Sequence, residues 1–154
     1  MSSKSDVLIR EATEKDSSRL NDFFFSVPLQ GKLEIKIKRQ SDFFSFYDRL
    51  NYQYKTMILE NKEAQSLGTA TFIFQRRFLK TFESKFAFAC DLRISPTRQA
   101  ILNWGQHFTP QIEKLRVDDK IEHIITSINL SDSQLVNTFL RRLGRTAAHR
   151  GRVR

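Results

Sequence analysis

The chain has 154 residues, of which 40% are hydrophobic and 28% charged. That composition belongs to one folded domain with its own core, and it excludes a disordered polar chain or two domains of ordinary size. No run approaches the about 20 apolar residues of a membrane helix, and the opening Met1–Asp6 lacks the apolar stretch of a secretory signal. The single cysteine, Cys90, excludes an internal disulfide, and three scattered histidines make no metal motif. These features point to a cytoplasmic protein.

The formal net charge is +9, but it is not evenly spread. Residues 141–154 carry six arginines and no acid, and without them 20 basic residues face 17 acidic ones. The basicity is therefore a property of the end of the chain. The expectation is a folded domain over 1–145 and a solvated basic tail over 146–154, with no more than weak, sequence-independent affinity for nucleic acid.

In chain order, Val7-Leu8-Ile9-Arg10 reads as a short strand. Thr13 with Asp16 three residues on is a capping signal, and Leu20, Phe23 and Phe24 then share one helical face. Pro28 and Gly31 close that segment. Leu33, Ile35 and Ile37 alternate with charged residues and predict a strand. Phe43, Phe44, Phe46 and Tyr47 follow Ser41 and Asp42 at helical spacing, which predicts a short helix with its rings turned inward.

Thr56–Glu60 and Gly68–Gln75 predict an antiparallel hairpin around the polar turn 61–66. In Phe86–Ile94 the alternation puts Phe86, Phe88, Cys90, Leu92 and Ile94 on one face, with Ala87, Ala89, Asp91 and Arg93 on the other. Ser95-Pro96-Thr97 ends that strand. Ile101, Leu102, Phe108, Ile112 and Leu115 then predict a helix, which Pro110 should kink or restart with Thr109 as its cap. His123–Asn129 predicts a strand, and Ser131 or Asp132 caps a last helix stopped by Gly144. The result is a mixed α/β domain.

This order resembles the GNAT family of N-acetyltransferases. Ile9-Arg10-Glu11-Ala12-Thr13-Glu14-Lys15-Asp16 is similar to the family's opening strand and helix. Residues 60–70 resemble its hairpin, with Gly68 at the start of the second strand. Asp91-Leu92-Arg93-Ile94-Ser95-Pro96 resembles its central strand and exit, and Arg141-Arg142-Leu143-Gly144 the end of its last helix. The resemblance implies a mixed, mostly antiparallel sheet flanked by helices. It also implies transfer of an acetyl group from acetyl-CoA to an amine. Backbone groups of Leu92 and Ile94 would hold the pantetheine arm, and Arg98, Gln99, Ala100 and Leu102 would meet the phosphates.

Asp91 and Glu60 are the candidates for general base under that resemblance, and acceptor specificity would lie in about Phe23–Tyr54. Leu102 and Trp104 stand where the family's phosphate loop has glycines, so binding of acetyl-CoA should be measurable but weak. Leu140 occupies the position where many members have a tyrosine acid. The family's last two strands have no counterpart in 145–154, which would leave a sheet edge for a second copy or another domain to cover. A catalytically inactive module on the same fold, binding CoA or a partner chain, is the alternative reading. Deleting residues 146–154 should leave the thermal melting temperature nearly unchanged and weaken retention on heparin or nucleic acid; a large loss of stability would show that the tail belongs to the core.

Overall fold

The structure is a computed structural model that describes residues 6–27, 37, 39, 42–79 and 81–127. Five strands form one sheet in the order β1 (Val7–Glu11), β2 (Tyr54–Asn61), β3 (Ser66–Leu79), β4 (Phe82–Ile94) and β5 (His123–Thr126). The first four pair antiparallel and β5 lies parallel to β4. Among the described residues three α-helices accompany them: α1 (Ser17–Ser26), α2 (Ser45–Arg49) and α3 (Arg98–Asp118). This is the mixed, mostly antiparallel sheet flanked by helices expected from the sequence. The strand expected around Leu33–Ile37 and the last helix lie outside the described residues, apart from Ile37 itself. Among the described residues no helix is long and apolar enough to cross a membrane.

The period-two pattern divides the core into two layers. Met57 and Leu59 of β2 join Ala70, Phe72 and Ala87 beneath Ala100, Trp104, Phe108 and Leu115 of α3. Ile58, between them in sequence, joins Ile73 on the other face, under Leu20 and Phe24 of α1 and under Phe43, Phe44 and Tyr47. Thr13 and Asp16 open the first helical segment as expected: Asp16 Oδ2 accepts from the Thr13 N–H at 2.8 Å. Phe46 departs from the inward reading and is 49% exposed, because a five-residue helix turns only one stripe toward the sheet.

Helix α3 runs unbroken for 21 residues through Pro110, so Thr109 does not start a second helix. Its hydroxyl instead donates to the Gly105 carbonyl one turn back, at 2.8 Å. A proline inside a helix costs about 3 kcal/mol. Phe108 and Leu115 flank it and are both buried, and each offsets about 1.5–3 kcal/mol by leaving water. Ile101 and Leu102, assigned to the core by the helical pattern, are instead 54% and 61% exposed. In the first two turns of α3 only Ala100 and Trp104 are buried.

Strand β4 also departs from simple alternation. Thr71 pairs with Cys90 and Thr69 with Arg93, so two steps along β3 match three along β4. The extra residue is a β-bulge, with Asp91 in the left-handed region at φ 54°. The bulge exchanges the faces. Ala87 and Ala89 before it and Leu92 and Ile94 after it all pack on the α3 side, whereas Cys90 packs on the α1 side. The strand therefore lacks the single apolar face that unbroken alternation predicts. It is also the fourth of five described strands, with β3 at the centre.

Trp104 lies across the start of β3. A Cβ at Gly68 would stand 2.5 Å from Trp104 Cε3 and 2.6 Å from Cζ3, so only glycine lets the indole down onto the strand. The indole is stacked on Phe108 at 4.5 Å, and Phe108 on Phe72 at 5.7 Å, so it has no room to retreat. Gly68→Ala should cost about 1–3 kcal/mol of stability in urea denaturation. The loss should shrink in a Trp104→Leu background; an equal loss in both backgrounds would contradict the steric account.

Candidate active site

The bulge separates β4 from β5. Their pairing ends at Ala89 and Thr126, whose hydroxyl donates to the Ala89 carbonyl at 2.9 Å. Beyond that point β4 continues to Ile94 with β3 as its only strand partner among the described residues. The Ser95 N–H bonds the Leu67 carbonyl at 2.8 Å. By antiparallel alternation Arg93 also faces β3, and the peptide groups of Leu92 and Ile94 face the opening where β5 has left. Their side chains pack under α3, so backbone and side chain serve different ends.

Asp91 stands at that fork. Its Oδ2 accepts from the Tyr47 hydroxyl and from Arg39 Nη2, and no described residue donates to its Oδ1. Tyr47 is 1% exposed, and burial, reinforced by the Asp91 charge, raises its pKa, so it remains a neutral donor. Across β2 and β3 the buried Thr56 and Thr71 hydroxyls meet at 2.9 Å. Arg93, 6% exposed, lies 4.6 Å from the centre of the Phe24 ring and donates to the Leu92 carbonyl at 3.0 Å. Burial lowers its pKa. The neighbouring Cys90 thiol is pushed up to about 12 by burial and by Asp91, which leaves it protonated.

Helix α3 begins immediately beyond the opening. Thr97 Oγ1 accepts from the Ala100 N–H at 3.3 Å, and the Thr97 carbonyl from the Ile101 N–H at 3.1 Å. The Arg98 and Gln99 N–H groups are then the first-turn donors left for an anion, at the positive end of the helix dipole. Both side chains are exposed, Ala100 is buried, and Leu102 projects outward. Trp104, aligned with a glycine of the phosphate loop, directs its bulk into the core rather than toward the helix start. Of the two, Leu102 alone keeps its side chain on the outer side of the helix.

Glu60 is elsewhere. It sits in β2, two strands from β4 or about 10 Å by strand spacing. Arg10 Nε donates to it at 2.7 Å, and Arg19 Nη2 lies 2.9 Å away. The same guanidiniums hold Asp16, at 2.8 Å and 2.5 Å, which closes a neutral box of four charges joining β1, α1 and β2. Of the two candidate bases, Asp91 alone stands at the fork. The residues that sequence reasoning missed there are Arg39, Tyr47 and Arg93. The helical spacing marks Tyr47 only as core, and the sole signal for Arg93 is its place on the strand face opposite the rings.

No protein-family model matches the chain, and no curated protein matches it by sequence. Its three-dimensional likenesses are extensive. An acetyltransferase of Trypanosoma brucei superposes with a TM-score of 0.65 at 17% identity, covering 97% of this chain and 98% of that one. An aminoglycoside antibiotic 6'-N-acetyltransferase from Acinetobacter baumannii gives 0.64 at 12% identity, covering 96% of each chain. Glucosamine-6-phosphate N-acetyltransferase from Arabidopsis thaliana gives 0.64 at 11% identity, covering 90% of each. The chain has the GNAT fold, that of acyl-CoA N-acyltransferases.

The ion box has a distinct acid signature. The Arg10 guanidinium, opposed by burial and helped by the Thr13 N–H and Arg19, holds Asp16 well below the usual carboxylate range. Burial pushes Glu60 up, but hydrogen bonds from Arg10 and Arg19 outweigh it and leave that carboxyl lowered too. Both groups bind protons more weakly folded than unfolded. Their stabilisation is therefore present above the unfolded-state value of about 4 and lost as pH falls below it. Asp16→Asn should lower neutral-pH stability by about 1–3 kcal/mol, discounted because both arginines are partly exposed. It should also flatten the decline of urea midpoint below about pH 4; an unchanged acid slope would remove the box from the account.

Proposed function

We propose that this chain transfers the acetyl group of acetyl-CoA to an amine, with Asp91 as the base. The observation that carries the reading is the fork at Asp91, where a carboxylate stands beside two outward-facing strand amides. Extended amides suit an amide-bearing pantetheine arm, which would add to Leu92 and Ile94 as a short strand does. The Arg98 and Gln99 N–H groups, with the Arg98 charge, suit phosphates at a helix start. Acetyl-CoA supplies the thioester carbonyl at which a carbon–nitrogen bond forms as the carbon–sulfur bond breaks.

This chain's own part is to hold and deprotonate. Tyr47 binds Oδ2 of Asp91 and fixes the carboxylate, Arg39 pairs with the same oxygen in the chain without acceptor, and the carboxylate can take the proton of the acceptor ammonium, directly or through one water. A covalent acetyl-cysteine route is disfavoured, because the Cys90 thiol remains protonated at neutral pH. Direct attack by the amine is the remaining course. The alternative, an inactive module on the same fold, draws support from Leu102 in place of a glycine.

Calorimetric titration with acetyl-CoA and CoA decides between them. Weak but measurable binding is expected. Leu102→Gly should tighten it about tenfold, the worth of one recovered bond to a charged phosphate, and the exposure of Leu102 spares the core. Asp91→Asn keeps a residue type that tolerates a left-handed backbone. It should lower kcat about 10²–10⁴-fold and leave acetyl-CoA affinity unchanged. Absence of binding at millimolar acetyl-CoA would sink the enzyme reading and leave the inactive module.

A further inference from the structure

Arg39 occupies an unusual position. Its guanidinium carbon lies 4.6 Å from the ring centre of Phe43, 4.8 Å from Tyr47, 4.9 Å from Phe46 and 5.1 Å from Phe24. Nη2 donates to Asp91, and Nη1 to the Phe43 carbonyl at 3.3 Å. Ring quadrupoles and a carboxylate are the chemistry by which proteins recognise organic cations. The rings also brace one another: Phe24 and Phe43 meet edge-on at 5.2 Å, and Phe46 and Tyr47 at 5.3 Å. The rings thus touch one another as well as Arg39.

We propose that the pocket formed by Phe24, Phe43, Phe46, Tyr47 and Asp91 is a receptor for a cationic head group, and that Arg39 fills it as an internal stand-in which the acceptor must displace. Phe24, Phe43 and Tyr47 are buried, while Phe46 is half exposed and forms the wall through which an outside cation enters. The identification of the occupant as an acceptor rests on the acetyl-transfer reading; the cation site itself does not.

The charges say which occupant reacts. Arg39 pairs with the carboxylate of Asp91. A guanidinium keeps its proton at every working pH and so cannot become a nucleophile. An alkylammonium in its place can pass one proton to Asp91, and it thereby becomes the neutral nucleophile that acyl transfer requires; the net charge of the pocket is the same before and after the transfer. The pocket thus selects a cation on entry and discharges it in place. The acceptor class that fits is a primary alkylamine with an unbranched carbon next to nitrogen, slim enough to replace the end of an arginine side chain.

The test is binding of methylguanidinium and n-butylammonium, followed by calorimetry and by shift of the melting temperature, with n-butanol as the neutral control. Arg39→Ala should bind both cations about tenfold more tightly than the unaltered chain, the worth of removing an internal competitor held by several cation–π contacts. n-Butanol should show no such gain. Adding Asp91→Asn to Arg39→Ala should abolish the gain. If Arg39→Ala gives no melting transition, Arg39→Gln keeps the apolar stem in the pocket and should show a gain of about threefold. Equal affinity in the unaltered chain and the folded variant, or an equal gain for n-butanol, would overturn the proposal. Acetyl-CoA titration of the same samples reads the transfer hypothesis separately, since neither cation depends on it to bind.

Discussion

The left-handed backbone of Asp91 is the constraint on which the fork at the end of β4 depends. An L-residue at φ 54° is costly unless its surroundings fix it, and aspartate is among the few side chains that tolerate it. Here the fixing is visible, because Tyr47 and Arg39 both grip one carboxylate oxygen. Three consequences follow from one extra residue in β4. The strand exchanges its faces, its pairing with β5 ends, and a carboxylate is carried to the fork. Without the bulge, Asp91 would alternate onto the α3 face with Ala87 and Ala89, away from Tyr47.

The two faces of the sheet do different work. Beneath α3 the packing is apolar and stacked, from Trp104 through Phe108 to Phe72. That layer sets where α3 begins, and so where its first N–H groups point relative to the end of β4. The α1 face is polar by comparison. The charge box of Arg10, Asp16, Arg19 and Glu60 ties the start of α1 to β1 and β2. Buried charges contribute little net stability, but they tolerate only one arrangement. By holding α1 in place, the box positions Phe24 over Arg93 and beside Arg39.

The exchange at Gly68 and Trp104 shows how a departure from a family pattern can be absorbed. Read in one dimension, Trp104 stands at a glycine position and threatens the phosphates. In space its ring enters the core, and the glycine appears opposite it, on β3. Leu102, two residues earlier, is turned outward by the 100° step of a helix. Glu60 illustrates the reverse. Its place in the hairpin made it a candidate base as good as Asp91, and two strand spacings with two arginines give it a structural partnership instead.

Period-two and helical spacing, capping residues and the polar hairpin turn were enough to specify the order of the strands and helices among the described residues, because those signals act between residues a few positions apart. The candidacy of Asp91 came instead from the resemblance of 91–96 to the GNAT family's central strand, which spacing alone does not supply. What spacing could not carry was the bulge: one inserted residue leaves composition unchanged and reverses every face after it, as the separation of Cys90 from Leu92 and Ile94 records. The gathering of Arg39, Phe24, Tyr47 and Asp91 was equally out of reach. Those residues are separated by 52 positions between Arg39 and Asp91 and 44 between Tyr47 and Asp91. No local rule relates them; only the closing of α1 and α2 over the bulged strand brings four rings and one carboxylate around a single cation.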